Sequence, residues 1–155
     1  MLEGNSIYIE VGRMSDESVE LIERQITDFV RRIVTTEQRE GRMERSAYIL
    51  LRQLSYGPAG VKTLAEHLHL DISTVSRQAS ALVEKAYVEK LPNPEDKRSY
   101  FYRITRLGSE ELEGNRRERF ERLQEMLDGW TEEEQEMFGR LLARYNRTAN
   151  ERLGL

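Results

Sequence analysis

Between Val61 and Thr105 the spacing of apolar residues changes from that of helices to that of strands, and few small folds accommodate the change. Leu64, Ala65 and Leu68 fall on one helical face. Ile72, Val75, Ala79, Leu82, Val83 and Ala86 make a second face. Only His69, Leu70 and Asp71 separate the two, so the helices must cross steeply, and small Ala65 lets them approach closely. Asp71 is expected to cap the second helix, its carboxylate accepting a backbone N–H that lacks a partner in the first turn.

Two strands follow. Tyr87 to Leu91 alternates, and so does Ser99 to Thr105, where Tyr100, Tyr102 and Ile104 share a face. Between them Pro92-Asn93-Pro94-Glu95-Asp96-Lys97-Arg98 forms a loop in which the prolines are expected to stop the first strand. Two short helices followed by a β-hairpin give a winged helix-turn-helix, an architecture whose usual partner is double-stranded DNA. The fold class predicted is mainly α with a small β-hairpin wing, flanked by further helices.

The chemistry of the second helix agrees with that partner. Opposite its apolar stripe stand Ser73, Thr74, Arg77, Gln78, Ala81 and Lys85, with Ser76 at the flank. Hydroxyls reach phosphates or base edges, Gln pairs bidentately with adenine, and Arg pairs with guanine. An ordinary solvated helix face favours Glu, Lys and Ala over Ser and Thr, which form helices less readily. In the loop Asp96 stands two residues before Arg98 and is expected to hold it, with Lys97 beside them. An arginine so held can enter the narrow, electronegative minor groove.

These residues carry a resemblance. Asp96-Lys97-Arg98-Ser99, then Ile104-Thr105 and Gly108, resemble the wing and following helix start of the MarR family of bacterial transcriptional regulators. Thr74-Val75-Ser76-Arg77 with Leu82-Val83-Glu84-Lys85 resembles that family's recognition helix. One departure is Ala86, where the family usually has glycine. Alanine in a left-handed helix end costs up to roughly 1 kcal/mol, so a different ending of this helix is expected. The resemblance implies a homodimer on a pseudo-palindromic operator, acting as a repressor. It also implies release by a small anionic or phenolic ligand bound between the reading head and the dimer helices. Tyr48, Arg52 and Tyr56 fall where such a pocket would form.

Composition narrows the mechanism. Without cysteine the chain has no disulfide, no thiolate metal cluster and no thiol redox switch, although the resembled family includes peroxide sensors that use one. His67 and His69 are spaced by two and would point apart on a helix, so no metal site is expected. There is no phosphate-binding glycine loop and no nucleophile elbow, so neither catalysis nor a cofactor is expected. The net charge of −4 conceals an asymmetry. Residues 61–106 hold eight Lys or Arg and six Asp or Glu, hence +2, which leaves −6 for the rest. A winged helix that binds proteins instead of DNA is the alternative reading of this acidic total. No membrane-spanning run and no signal peptide are visible, so a cytoplasmic location is expected.

Outside the head the pattern is helical. Ile7, Ile9 and Val11 alternate and fit a short strand, an arm on a second subunit, or an unstructured lead. Asp16 to about Glu40 is a helix with a wide apolar stripe ended by Gly41. Glu44 to Tyr56 is the next, and Gly57-Pro58-Ala59-Gly60 reads as a plain breaker. Thr105 caps a helix running to about Leu127, in which Asn115 to Arg119 reads as a solvated charged face. Asp128-Gly129 breaks it, and Thr131 with Glu134 forms a capping box for the last helix. Residues 1–42 and 107–155 are accordingly expected to form a helical dimerisation region, and 43–106 the DNA-binding winged helix.

Overall fold

The computed structural model describes residues 15–37 and 43–154, which form two units. The first unit holds one helix, α1 (Asp16–Glu37). Most of its apolar residues, Ile22, Phe29, Val30 and Val34 among them, are exposed. The alternating segment before it and Gly41 after it lie outside the described residues.

The second unit contains α2 (Arg45–Leu54), β1 (Ala59–Gly60), α3 (Val61–Leu68), α4 (Ile72–Glu84), β2 (Val88–Pro92), β3 (Tyr100–Ile104), α5 (Arg106–Met126) and α6 (Glu132–Leu153). Its core is Leu50, Leu51 and Leu54 from α2, Leu64 and Ala65 from α3, Val75, Ala79 and Leu82 from α4, with Val88 and Tyr102 from the sheet. Each fully buried leucine contributes about 1.5–3 kcal/mol relative to exposure. The predicted faces of α3 and α4 are therefore turned to the core, with two exceptions, Ile72 and Ala86, which are exposed. Ile72 opens α4 at the edge of the unit and is 51% exposed.

The sheet has the order β1-β3-β2, all antiparallel. Val88 lies opposite Ile104, Lys90 opposite Tyr102, and Pro92 opposite Tyr100. The breaker reading of residues 57–60 is corrected here: Ala59 and Gly60 pair with Tyr102 and Phe101 as a third strand. Two residues are too few to show an alternating pattern. Pro92 belongs to β2 instead of stopping it, because β2 is an edge strand and a missing N–H there can face solvent.

Helix ends give the second set of findings. Asp71 stands at the N-terminus of α4 with extended backbone, but its side chain makes no cap bond. Instead its Oδ2 accepts from the Thr74 hydroxyl at 2.8 Å. The expected different ending at Ala86 is also corrected. Ala86 adopts φ 58°, the left-handed ending itself. The Tyr87 N–H donates to the Leu82 carbonyl and the Ala86 N–H to the Val83 carbonyl, so the last orphan carbonyls of α4 are satisfied. His69 ends α3 in the same way at φ 52°, with Leu70 N–H donating to Ala65 and His69 N–H to Glu66.

The beginnings of α5 and α6 match expectation. Thr105 caps α5, accepting from the Gly108 N–H at 3.0 Å. The Thr131–Glu134 capping box is complete in both directions. Gly129, at φ 79°, turns the chain between the two helices, where Trp130 meets Phe138 edge-on at 5.5 Å.

Candidate nucleic-acid interface

The row expected to contact DNA stands on α4 because Val75, Ala79 and Leu82 commit the opposite side to the core. Ser73, Arg77, Ala81 and Lys85 are exposed, while Thr74, Ser76 and Gln78 are half-buried at the flanks. The Thr74 hydroxyl is used in donating to Asp71, so toward a ligand it offers its lone pairs. Ser80, which the sequence reading left out, is exposed but donates its hydroxyl to the Ser76 carbonyl one turn back.

The wing tip is built from side-chain to backbone bonds. The Asn93 Oδ1 accepts from the Glu95 N–H at 2.9 Å, and the Asn93 amide donates to the Ser99 hydroxyl at 2.9 Å. Ser99 Oγ donates to the Asp96 carbonyl at 3.1 Å. Asp96 Oδ1 accepts from the backbone N–H of Arg98 at 2.9 Å. The expectation that Asp96 holds Arg98 is thus refined: the carboxylate fixes the backbone of Arg98 and forms no ion pair with its guanidinium among the described residues. Lys97 and Arg98 are both exposed. Below the tip the two strands are tied by Arg103 Nε donating to Glu89 at 2.7 Å, and Lys90 Nζ lies 4.1 Å over the Tyr100 ring.

Thr105 ties the end of α4 to the start of the wing and of α5. The Thr105 hydroxyl donates to the Ala86 carbonyl at 2.7 Å while accepting from Gly108, and the Thr105 N–H donates to the Tyr87 carbonyl at 3.0 Å. A Cβ on Gly108 would sit 2.0 Å from that Tyr87 carbonyl oxygen, so only glycine fits. The start of α5 therefore clamps the end of α4.

The three residues expected at a ligand pocket recur every fourth position along α2. Tyr48 is half-buried, Arg52 exposed, and Tyr56, beyond the helix end, 75% exposed. A neighbour missed in the sequence completes the Tyr48 environment. Arg119 of α5 places its Cζ 4.3 Å over the Tyr48 ring. Arg119 is half-buried, so the solvated reading of residues 115–119 fails at that position. A run of five polar residues gives no sign that one cation of several turns inward. A cleft of about 220 Å³ lies elsewhere, between the start of α2 and α4. Among the described residues no group of three His, Cys, Asp or Glu could hold a metal ion, and His67 Nδ1 lies 3.1 Å from the Gln53 amide.

Comparison with known proteins bears on this arrangement. A model of the MarR family matches residues 44–100. The chain is 49% identical to the uncharacterized HTH-type transcriptional regulator YxaD of Bacillus subtilis (strain 168), over 83% of this chain and 93% of that protein. The crystal structure of YusO from Bacillus subtilis is similar with a TM-score of 0.68 and 19% identity, covering 87% of this chain and 99% of that one. The apo form of MarR from E. coli gives 0.66 and 22%, covering 86% and 98%. These two likenesses establish the shared fold. Together with the identity to YxaD and the family match, they show that the chain belongs to the MarR family of winged helix-turn-helix transcriptional regulators.

Proposed function

We propose that this DNA-binding regulator occupies a pseudo-palindromic operator as a homodimer and represses from it. Each α4 enters a major groove through Ser73, Thr74, Ser76, Arg77, Gln78 and Lys85. Each wing reaches the neighbouring minor groove through Lys97 and Arg98, with Asp96 shaping the tip. The observation that carries this reading is the pair of exposed cations on a tip whose backbone is fixed by Asn93, Asp96 and Ser99. A preorganised loop loses little entropy on entering a groove.

Selection of bound sequences from random duplexes tests the whole proposal, with half-sites expected about 10 bp apart. Arg98→Ala is expected to weaken binding to the selected operator and to reduce the salt slope by about 0.9, one phosphate-neutralising cation being lost. Unchanged affinity in a gel shift would remove the minor-groove role of Arg98.

The dimer region is proposed to comprise residues 1–42 and 107–155, and the reading head 43–106. The apolar faces left exposed on α1 and α6 support this. No described helix is long and apolar enough to cross a membrane. Relief of repression by a small aromatic or anionic ligand is proposed for the surface around Tyr48, Arg52 and Tyr56. It is supported by an aromatic face and the Arg119 guanidinium lying together there. A thermal-shift series with aromatic acids tests it, and no shift with any of them counts against it.

A further inference from the structure

The cleft between the start of α2 and α4 lies apart from Tyr48, Arg52 and Tyr56. Arg77, Ala81 and Lys85 line one wall and follow one another at steps of four, so they form a row along α4. At 1.5 Å per residue the Cα atoms of the two cations stand roughly 12 Å apart along the axis, a span that two long side chains can close from either end. Ala81 between them and Ala47 across from them carry nothing beyond Cβ, so the row dips where a cation or a long side chain would otherwise fill it. Ser46 of α2 and Gln78 of α4 add a hydroxyl and an amide. Two cations and two neutral donors around a floor of Ala47, Ala81 and Leu82 suit an oxyanion with several acceptor oxygens. A lysine ammonium, a compact charge without a planar fork, suits phosphate better than a base edge.

We propose that this cleft seats one backbone phosphate of the bound duplex, held by Lys85 and Arg77 from α4 and by the Ser46 hydroxyl from α2. The seat rests on the DNA-binding reading above and extends the contact surface to an element that precedes the helix-turn-helix pair. Its role is to set the register of α4 in the groove, since phosphate contacts position a reader without carrying sequence information. Glu44 lines the same cleft and makes no side-chain cap bond to α2. It therefore opposes an anion there, and its charge can be removed without loss of a cap.

The test measures binding to the selected operator and to a scrambled duplex across a salt series. Three variants are compared with the full chain: Lys85→Ala, Ser46→Asp and Glu44→Gln. Lys85→Ala is expected to weaken both duplexes by the same factor and to lower the salt slope by about 0.9. Ser46→Asp is expected to weaken both by at least about tenfold through like-charge repulsion, and Glu44→Gln to tighten both. The seat is overturned if the wild type binds but Lys85→Ala and Ser46→Asp bind equally well. It is also overturned if Lys85→Ala harms only the selected operator, which would make Lys85 a base reader. A wild type that binds no duplex overturns the DNA reading as well. Lys85 is exposed, so its truncation leaves the fold intact and keeps the comparison meaningful should Ser46→Asp unfold.

Discussion

Ala86 occupies a conformation that L-residues disfavour, at φ 58°, and its N–H donates to Val83 while the Tyr87 N–H donates to Leu82 to close the helix ending. Its backbone is held there by the Thr105 hydroxyl on its carbonyl. Ala86→Gly is therefore expected to stabilise the protein by about 0.5–1 kcal/mol, seen as a higher denaturant midpoint with an unchanged slope. A midpoint that falls would mean that the left-handed ending is not populated. Gly108 is the opposite case. It is buried against the Tyr87 carbonyl, and Gly108→Ala requires backbone to move at the junction of α4, the wing and α5. We expect a loss of about 1–3 kcal/mol in chemical denaturation, the usual cost of overpacking. Thr105→Val removes a cap and the Ala86 bond together, and about 1–2 kcal/mol is expected to go with them.

Among the elements, the wing depends least on apolar packing at its tip and most on hydrogen bonds. Asn93 makes two of these through its side chain, to Glu95 N–H and Ser99 Oγ. Asn93→Ala is expected to cost about 1–2 kcal/mol, because two side-chain hydrogen bonds of a half-buried residue are lost. It should also weaken operator binding several-fold by loosening the loop that presents Arg98. Equal affinity of this variant and the wild type would show that tip rigidity contributes nothing. Tyr87 to Leu91 and Ser99 to Thr105 were legible as strands because they alternate, and the observed β2 and β3 differ by a residue at the ends. The paired strand at Ala59–Gly60 was not legible, since its hydrogen bonds go to Tyr102 and Phe101, far along the chain.

At the scale of the molecule, α6 buries none of its residues within the described chain, and Phe138, Leu141, Leu142 and Tyr145 are exposed. A helix with such a face gains stability by covering it, and a two-fold partner is the commonest solution. Leu141→Glu is expected to shift the protein toward monomer in sedimentation velocity. Operator affinity should fall on the order of 100-fold as the two half-sites cease to be bound together. A variant that remains dimeric would place the interface elsewhere.

From residue order alone came the helix-turn-helix, the hairpin, the caps at Thr105 and Thr131 and the exposed row on α4. All of these depend on neighbours within a few positions, where helix and strand periods and hydrogen bonds to the next turn dominate. Three features needed the folded chain: the third strand, the Arg119–Tyr48 contact and the clamp of Thr105 and Gly108 on Ala86 and Tyr87. Each joins residues distant in sequence. Its energy exists only once the core of Leu50, Leu64, Val75 and Leu82 has brought them together.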